Sequence, residues 1–338
     1  MIKYEILTFV RSEVITVVID FFTHIVPPGY LAALEKASAA GKIPGYTSDL
    51  MAEASIPGMT DTETRIKIKA EYGDIKEVLT LSGPFLETIA GPDVSPELAV
   101  IANDGVAEII VRHPENFIAG MACLPLNNIE ASLREIDRAV KDLKLRGIQI
   151  GTDVDGKPLD LPEFMPIWEK MEQYNLPILI HPSKNQLSPD YPGEGESKYE
   201  LFRIVGWPQT TTMAMLRLVY GGVLEKYPGL KFVTHHAGGT VPYLAKRIEA
   251  STQGALPKPL IEYIKLFYND TAVGGNTANL MCAYDFFGPD HLVFATDFPF
   301  GFANFRGKVD CIGEMGIPES EKEQIFEGNA RKLLGLDG

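Results

Sequence analysis

Four stretches, far apart in the chain, end in residues that can bind a metal or move a proton. Asp20-Phe21-Phe22-Thr23-His24 closes the first. His181 ends an apolar run over 176–182, and Asp297 ends another over 293–299. A fourth run, 230–233, leads into Thr234-His235-His236-Ala237-Gly238-Gly239. Runs rich in β-branched residues read as buried parallel strands, and catalytic residues of a (β/α)₈ barrel sit where such strands end. A lone histidine at a strand end is more often structural. Three such ends carrying His24, His181 and Asp297 shift the balance toward one metal-centred site.

Neutral imidazole and carboxylate suit Zn²⁺, Mn²⁺ or Fe²⁺ better than a hard ion such as Ca²⁺. A catalytic ion takes about three protein ligands and keeps a position open. His24, His181 and Asp297 supply three. That leaves His236 as general acid or base, with a fourth ligand as its alternative role. Neighbours on a regular strand point to opposite sides, so His235 and His236 are not both expected to face inward. His236 is the choice for chemistry, because it directly precedes the small residues Ala237-Gly238-Gly239, where backbone can approach substrate; His235 is left a packing or supporting role. His113 is read as a surface or capping residue and His291 as structural.

Composition sets the limits. With 338 residues and 45% hydrophobic content, the chain can bury a sizeable core as one barrel domain. A net charge of −14 argues against a nucleic-acid partner held by phosphate attraction. The three cysteines, Cys123, Cys282 and Cys311, form no close pair, which points to a reducing compartment, with the cytoplasm as the default. Lys3, Glu5, Arg11 and Glu13 interrupt the apolar N-terminus, so neither a membrane span nor a signal peptide is expected there.

The elements that must position the site follow. Eight strand candidates lie at about 15–22, 75–81, 117–123, 147–151, 177–181, 231–235, 266–270 and 291–297. Helical patterns separate most of them. Asn128 is placed to cap a helix whose apolar face is Ile129, Leu133, Ile136, Val140 and Leu143. Ser320 with Glu323 reads as a capping box for the last helix. Strands alternating with helices argue for a parallel sheet, and eight repeats for closure. Residues 1–14 read as an N-terminal extension. Two stretches, 25–59 and 183–198, follow strand ends as insertions and are candidate lid or substrate loops.

At these motifs the chain resembles the amidohydrolase superfamily, in the branch containing aminocarboxymuconate-semialdehyde decarboxylase and γ-resorcylate decarboxylase. The resemblance runs from Val17 to Leu336. It is carried by 146–152 followed by 156–160, by 176–182, by Gly206-Trp207-Pro208 with 210–218, and by 222–228. His236 to Gly239, Thr296 to Phe300 and Gly328-Asn329-Ala330 complete it. It implies a distorted (β/α)₈ barrel with one divalent metal, Zn²⁺ first and Mn²⁺ second. It implies ligands at His24, His181 and Asp297, a catalytic histidine at His236, and a homodimer or larger assembly. Asp297 would also carry protons.

One position departs from the family. The first motif is usually His-x-His or Glu-x-His, and here the first ligand position holds Phe22, which cannot coordinate. Phe22 is instead expected to wall an apolar pocket, with Trp207 and Phe298 as further walls. Arg247 aligns with a family arginine that reaches a substrate carboxylate, in one relative across a dimer interface. The expected activity is metal-dependent, non-oxidative decarboxylation of a small aromatic or unsaturated carboxylic acid. A hydrolase or hydratase on the same scaffold, and a catalytically reduced ligand-binding barrel, are the alternatives.

Overall fold

The computed structural model describes residues 17–43, 53–251, 256–301 and 304–336; the expected N-terminal extension lies outside them. Nine strand segments appear: β1 (Val18–Ile25), β2 (Ile75–Leu81), β3 (Phe117–Gly120), β4 (Ala122–Cys123), β5 (Ile148–Gly151), β6 (Pro177–His181), β7 (Lys231–Thr234), β8 (Tyr268–Asp270) and β9 (Leu292–Val293). Every pairing is parallel, in the orders β1-β2-β3 and β4 through β9. Only Met121 separates β3 from β4, and its N–H donates to Leu79 O at 2.9 Å, so the two segments act as one staggered strand.

The other seam joins the first strand to the last. Phe21 N donates to Phe294 O at 2.8 Å, Asp297 N to Phe22 O at 3.1 Å and His24 N to Phe298 O at 2.6 Å. The result is the expected eight-stranded (β/α)₈ ring, with helices packed outside. No helix among the described residues is long and apolar enough to cross a membrane.

Two apolar layers hold the ring. Outside, the helix Ile129–Lys141 lays Ile136 and Ala139 against the sheet, and the Asn128 side chain accepts from Ala131 N at 3.1 Å as its cap. Inside, Ile19, Phe21, Phe22, Val78, Leu179, Val233 and Val293 form a smaller core with Ala330, Leu333 and Leu334. The expected capping box fails. The segment Glu319–Glu323 begins at Pro318 with no side-chain cap, and Ser320 falls inside the helix rather than at the position before it. The insertion after β1 forms the helix Pro28–Ala39, which buries Tyr30 and Leu34.

Beneath the β1 seam sits a buried ion cluster. The Arg65 guanidinium, fully buried, donates to Glu77 Oε2 at 2.9 Å, His24 O at 2.6 Å and Gly58 O at 3.1 Å. Asp20 accepts from Thr296 N at 2.9 Å and pairs with Lys69, which lies 3.5 Å from Glu77. Burial works to push the Glu77 carboxyl up, but Arg65 and Lys69 override it and hold it below its ordinary range. Asp20, where burial dominates, is pushed up. Removing one member of such a cluster strands a buried charge. Arg65→Ala is therefore expected to cost about 3–5 kcal/mol in urea unfolding, and a loss under about 1 kcal/mol would show the cluster to be idle.

Candidate functional site

His24 is the last residue but one of β1, His181 ends β6, His235 and His236 follow β7, Asp270 ends β8 and Asp297 follows β9. All lie at the carboxyl ends of strands. Among the described residues, two triplets bring their donor atoms within 4.8 Å of one another: His24, His181 and Asp297, and His235, His236 and Asp297. Asp297 belongs to both. Its Oδ1 lies 2.9 Å from His24 Nε2 and 3.5 Å from His235 Nε2.

The ring partners fix which nitrogen faces the cluster. His181 Nδ1 donates to Pro182 O at 2.9 Å. Thr80 gives its hydroxyl proton to Thr23 O at 3.0 Å, so toward His24 Nδ1 at 3.4 Å it acts as a weak acceptor. His235 Nδ1 is bonded to Asp270 Oδ2. In its neutral form each ring therefore carries its proton on Nδ1 and turns a lone pair on Nε2 into the cluster. A lone pair 2.9 Å from a carboxylate oxygen needs a proton or a cation between them. This donor set suits a divalent borderline ion, and the histidine–carboxylate pairing is the usual support of a metal-ligating imidazole.

His235 differs from its expected place. It faces the cluster alongside His236, because the chain leaves the strand at this point: His236 and Ala237 take φ of 58° and 54°, and Gly238 and Gly239 continue the left-handed turn. Side-chain alternation fails there. The glycines also serve protein packing rather than substrate approach. A Cβ on Gly238 would lie 2.8 Å from Asn269 Oδ1, and one on Gly239 2.5 Å from Pro208 O.

A cavity of about 940 Å³ opens above the cluster. His236, Asp297, Trp207, Phe300, Tyr243 and Arg203 are among the residues that line it. Trp207 stacks on His236 with centroids 5.7 Å apart and anchors its Nε1 on Lys184 O at 2.7 Å. Phe22 is buried below, its ring centroid 4.3 Å from His235, 5.1 Å from His24 and 5.7 Å from His181. It packs within the cluster rather than lining the cavity.

One expected cavity wall is corrected. Phe298 is fully buried under the Arg65 guanidinium, 4.8 Å from its centroid, and does not line the cavity; Phe300, two residues on, does. Arg247 is exposed and not part of the lining. Its helix, Val241–Glu249, starts at the mouth and runs away from it, so Tyr243 reaches the cavity and a residue one turn later does not. Asp270 was missed, although it ends a run identified as a strand.

The charges are strongly coupled. Burial pushes the Asp297 carboxyl up, but the imidazoles of His235 and His24 beside it hold it well below the usual range. His236 is pushed down to about 3 by burial and by the charge on His235. His181 is held well below its ordinary value by the same two causes. Burial opposes charge on His235, yet Asp270 and then Asp297 prevail and raise it to about 10.

The model for the amidohydrolase family matches residues 58–336. The chain belongs to that family. It is 31% identical to a 2-amino-3-carboxymuconate-6-semialdehyde decarboxylase of Dictyostelium discoideum, over 94% of this chain and 92% of that protein. It is 30% identical to a γ-resorcylate decarboxylase of Rhizobium radiobacter, over 89% and 94%. Among solved structures, a dihydroxybenzoic acid decarboxylase from Polaromonas sp. JS666, with bound manganese and the inhibitor 2-nitroresorcinol, superposes with a TM-score of 0.77. That match has 25% identity and covers 95% of this chain and 97% of that one.

The coupled histidines set a pH dependence in the metal-stripped protein. His181 and His236 stay neutral in the fold but protonate near 6.5 once unfolded, so their contribution is lost as pH falls below 6.5. His235 is raised, so its contribution is full below 6.5 and is lost as pH rises toward about 10. Urea unfolding of stripped protein should give maximal stability near pH 6.5. His235→Asn should flatten the alkaline limb, and an unchanged limb would remove His235 as its source.

Proposed function

We propose that the protein is a metal-dependent, non-oxidative decarboxylase of a small aromatic carboxylic acid. The observation that carries this is Asp297: one carboxylate shared by two histidine sets, on the wall of a cavity faced by aromatic rings. Support comes from relatives named as decarboxylases that match along nearly the whole chain. A volume near 940 Å³ has room for a one-ring acid.

His24, His181 and Asp297 would hold the ion, Zn²⁺ or Mn²⁺. When bound, it would supply Lewis-acid polarisation of substrate oxygens and offset the carboxylate charge. The chain's residues supply the rest. Trp207 and Phe300 stack on the ring and exclude water, which strengthens every polar contact inside. Asp297 is a carboxylate at rest; once protonated it is a strong acid beside the substrate. It delivers the proton to the ring carbon that bears the carboxylate. The bond to the carboxyl carbon then breaks, its electron pair restores the aromatic ring, and carbon dioxide leaves. His236, a neutral imidazole open to the cavity, passes a proton back to Asp297 as it takes one from solvent. A homodimer or larger assembly would cover the exposed Ile204, Val205 and Tyr243 at the rim.

The test is carbon dioxide release from a panel of hydroxybenzoates, with lactones assayed in parallel. Asp297→Asn and His236→Asn should each lower release about 10²–10⁴-fold. In D₂O the product should carry one deuterium at the vacated carbon. Lactone hydrolysis without carbon dioxide release would overturn the reading in favour of a hydrolase.

A further inference from the structure

We propose that Lys308 holds a second anionic group of the substrate, so that the acid taken by this site carries two carboxylates, one lost as carbon dioxide and one retained. This rests on the decarboxylase reading above and narrows its substrate class.

Lys308 lies on the helix Phe305–Gly313 and is buried, with 7% of the residue exposed. Its Nζ donates to Thr296 O at 2.5 Å and to Phe300 O at 2.7 Å, carbonyls on either side of Asp297. An ammonium has three protons. The third finds no acceptor among the described residues, and Asp297 and Asp20 attract the charge only through space. Lys308 also lines the cavity, beside Asp297, Phe300 and Asn304. Two backbone carbonyls thus fix a buried cation at the cavity wall with one proton left over, and a carboxylate is the strong partner for such a donor. Arg203, the other cation of the lining, is exposed and already paired with Glu200.

Burial lowers the pKa of the Lys308 ammonium, against the pull of Asp297 and Asp20. In the reaction Asp297 takes up a proton or holds the ion, and its charge no longer serves Lys308. A carboxylate of the substrate would replace it. The departing carboxylate is a poor choice. Its charge moves into the ring as the bond breaks, so a fixed cation beside it would favour the ground state over the transition state. A retained carboxylate keeps its charge throughout. Its contact with Lys308 stabilises both states alike, and therefore sets affinity and choice of substrate rather than rate.

The test uses the full chain. Calorimetric titration with isophthalate and with benzoate reads binding without requiring turnover. Wild type should bind isophthalate at least about tenfold more tightly than benzoate. Lys308→Gln keeps a donor for the two carbonyls and drops the charge. It should weaken isophthalate about 10–100-fold and benzoate far less. In carbon dioxide release from 4-hydroxyisophthalate the same variant should raise KM, with kcat falling less than about threefold; a slackened turn at Asp297 would instead lower kcat, for salicylate as well. Melting curves establish that the variant folds, and the wild-type preference needs no variant. Equal wild-type affinity for the two acids, no binding of isophthalate, or an equal loss for both acids in Lys308→Gln overturns the proposal; release from salicylate would then leave the decarboxylase reading standing. A preference for isophthalate with no carbon dioxide released from any acid of the panel keeps the anion contact and overturns the reaction.

Discussion

The site exists because the first strand and the last are hydrogen-bonded to each other. His24 and Asp297 are 273 positions apart in sequence. The bonds from Asp297 N to Phe22 O and from His24 N to Phe298 O set their backbones side by side, and the side chains meet at 2.9 Å. A seam between chain ends carries the greatest loop-closure cost in a fold of this kind. It is secured from below, where Arg65 ties the carbonyl of His24 to that of Gly58, and Asp20 ties the backbone of Thr296 to Lys69. The buried ions cost desolvation, and an apolar replacement of the whole cluster could be as stable. What they give the fold is position: both residues flanking the seam are pinned by charge-assisted bonds with narrow geometry.

Above the seam, electrostatics rather than packing sets the resting state. Four imidazoles crowd into a buried volume, with ring centroids as close as 3.9 Å for His235 and His236 and 5.0 Å for His181 and His235. They cannot all carry charge. Asp270 and Asp297 keep the charge on His235, and that charge, added to burial, keeps His181 and His236 neutral. Neutral imidazoles are what a metal and a proton relay both need. A dication held by His24, His181 and Asp297 would find the His181 imidazole and the Asp297 carboxylate already deprotonated.

Much of this was legible in the sequence, for a physical reason. Buried parallel strands are apolar throughout, so a polar residue ending such a run stands out; His24, His181 and Asp297 were visible on that ground. Residue Asp270 ends the same kind of run but lies on a strand of only three residues, Tyr268–Asp270, and went unmarked. The pair His235-His236 was misjudged because alternation holds only while the backbone stays extended, and nothing in Ala237-Gly238-Gly239 says at which residue it turns. Phe298 was expected as a cavity wall, and Arg247, by resemblance, as a contact for a substrate carboxylate. Their actual positions depend on which way the chain turns after β9 and how far a helix runs from the mouth, and both are tertiary facts. Phe22 was seen as an anomaly, and the imidazoles it packs against, His24, His181 and His235, meet it only through the fold.

The backbone around the site adds a further constraint. Asp297, His236 and Ala237 all sit in the left-handed region, at φ of 61°, 58° and 54°. For residues with a Cβ this costs of order 1 kcal/mol each. Hydrogen bonds hold all three. Asp297 N is taken by Phe22 O, His236 N by Asp270 Oδ1 and Ala237 N by Asp270 O. Asp270 thus holds two strained residues by their backbones and a third, His235, by its ring. Through its carboxylate and its backbone carbonyl, Asp270 both holds the turn that breaks strand alternation and orients the imidazole that the turn brings inward. At His236 and Ala237 the strain and the convergence of donors thus meet at one residue, Asp270, while Asp297 is held separately by the seam to Phe22.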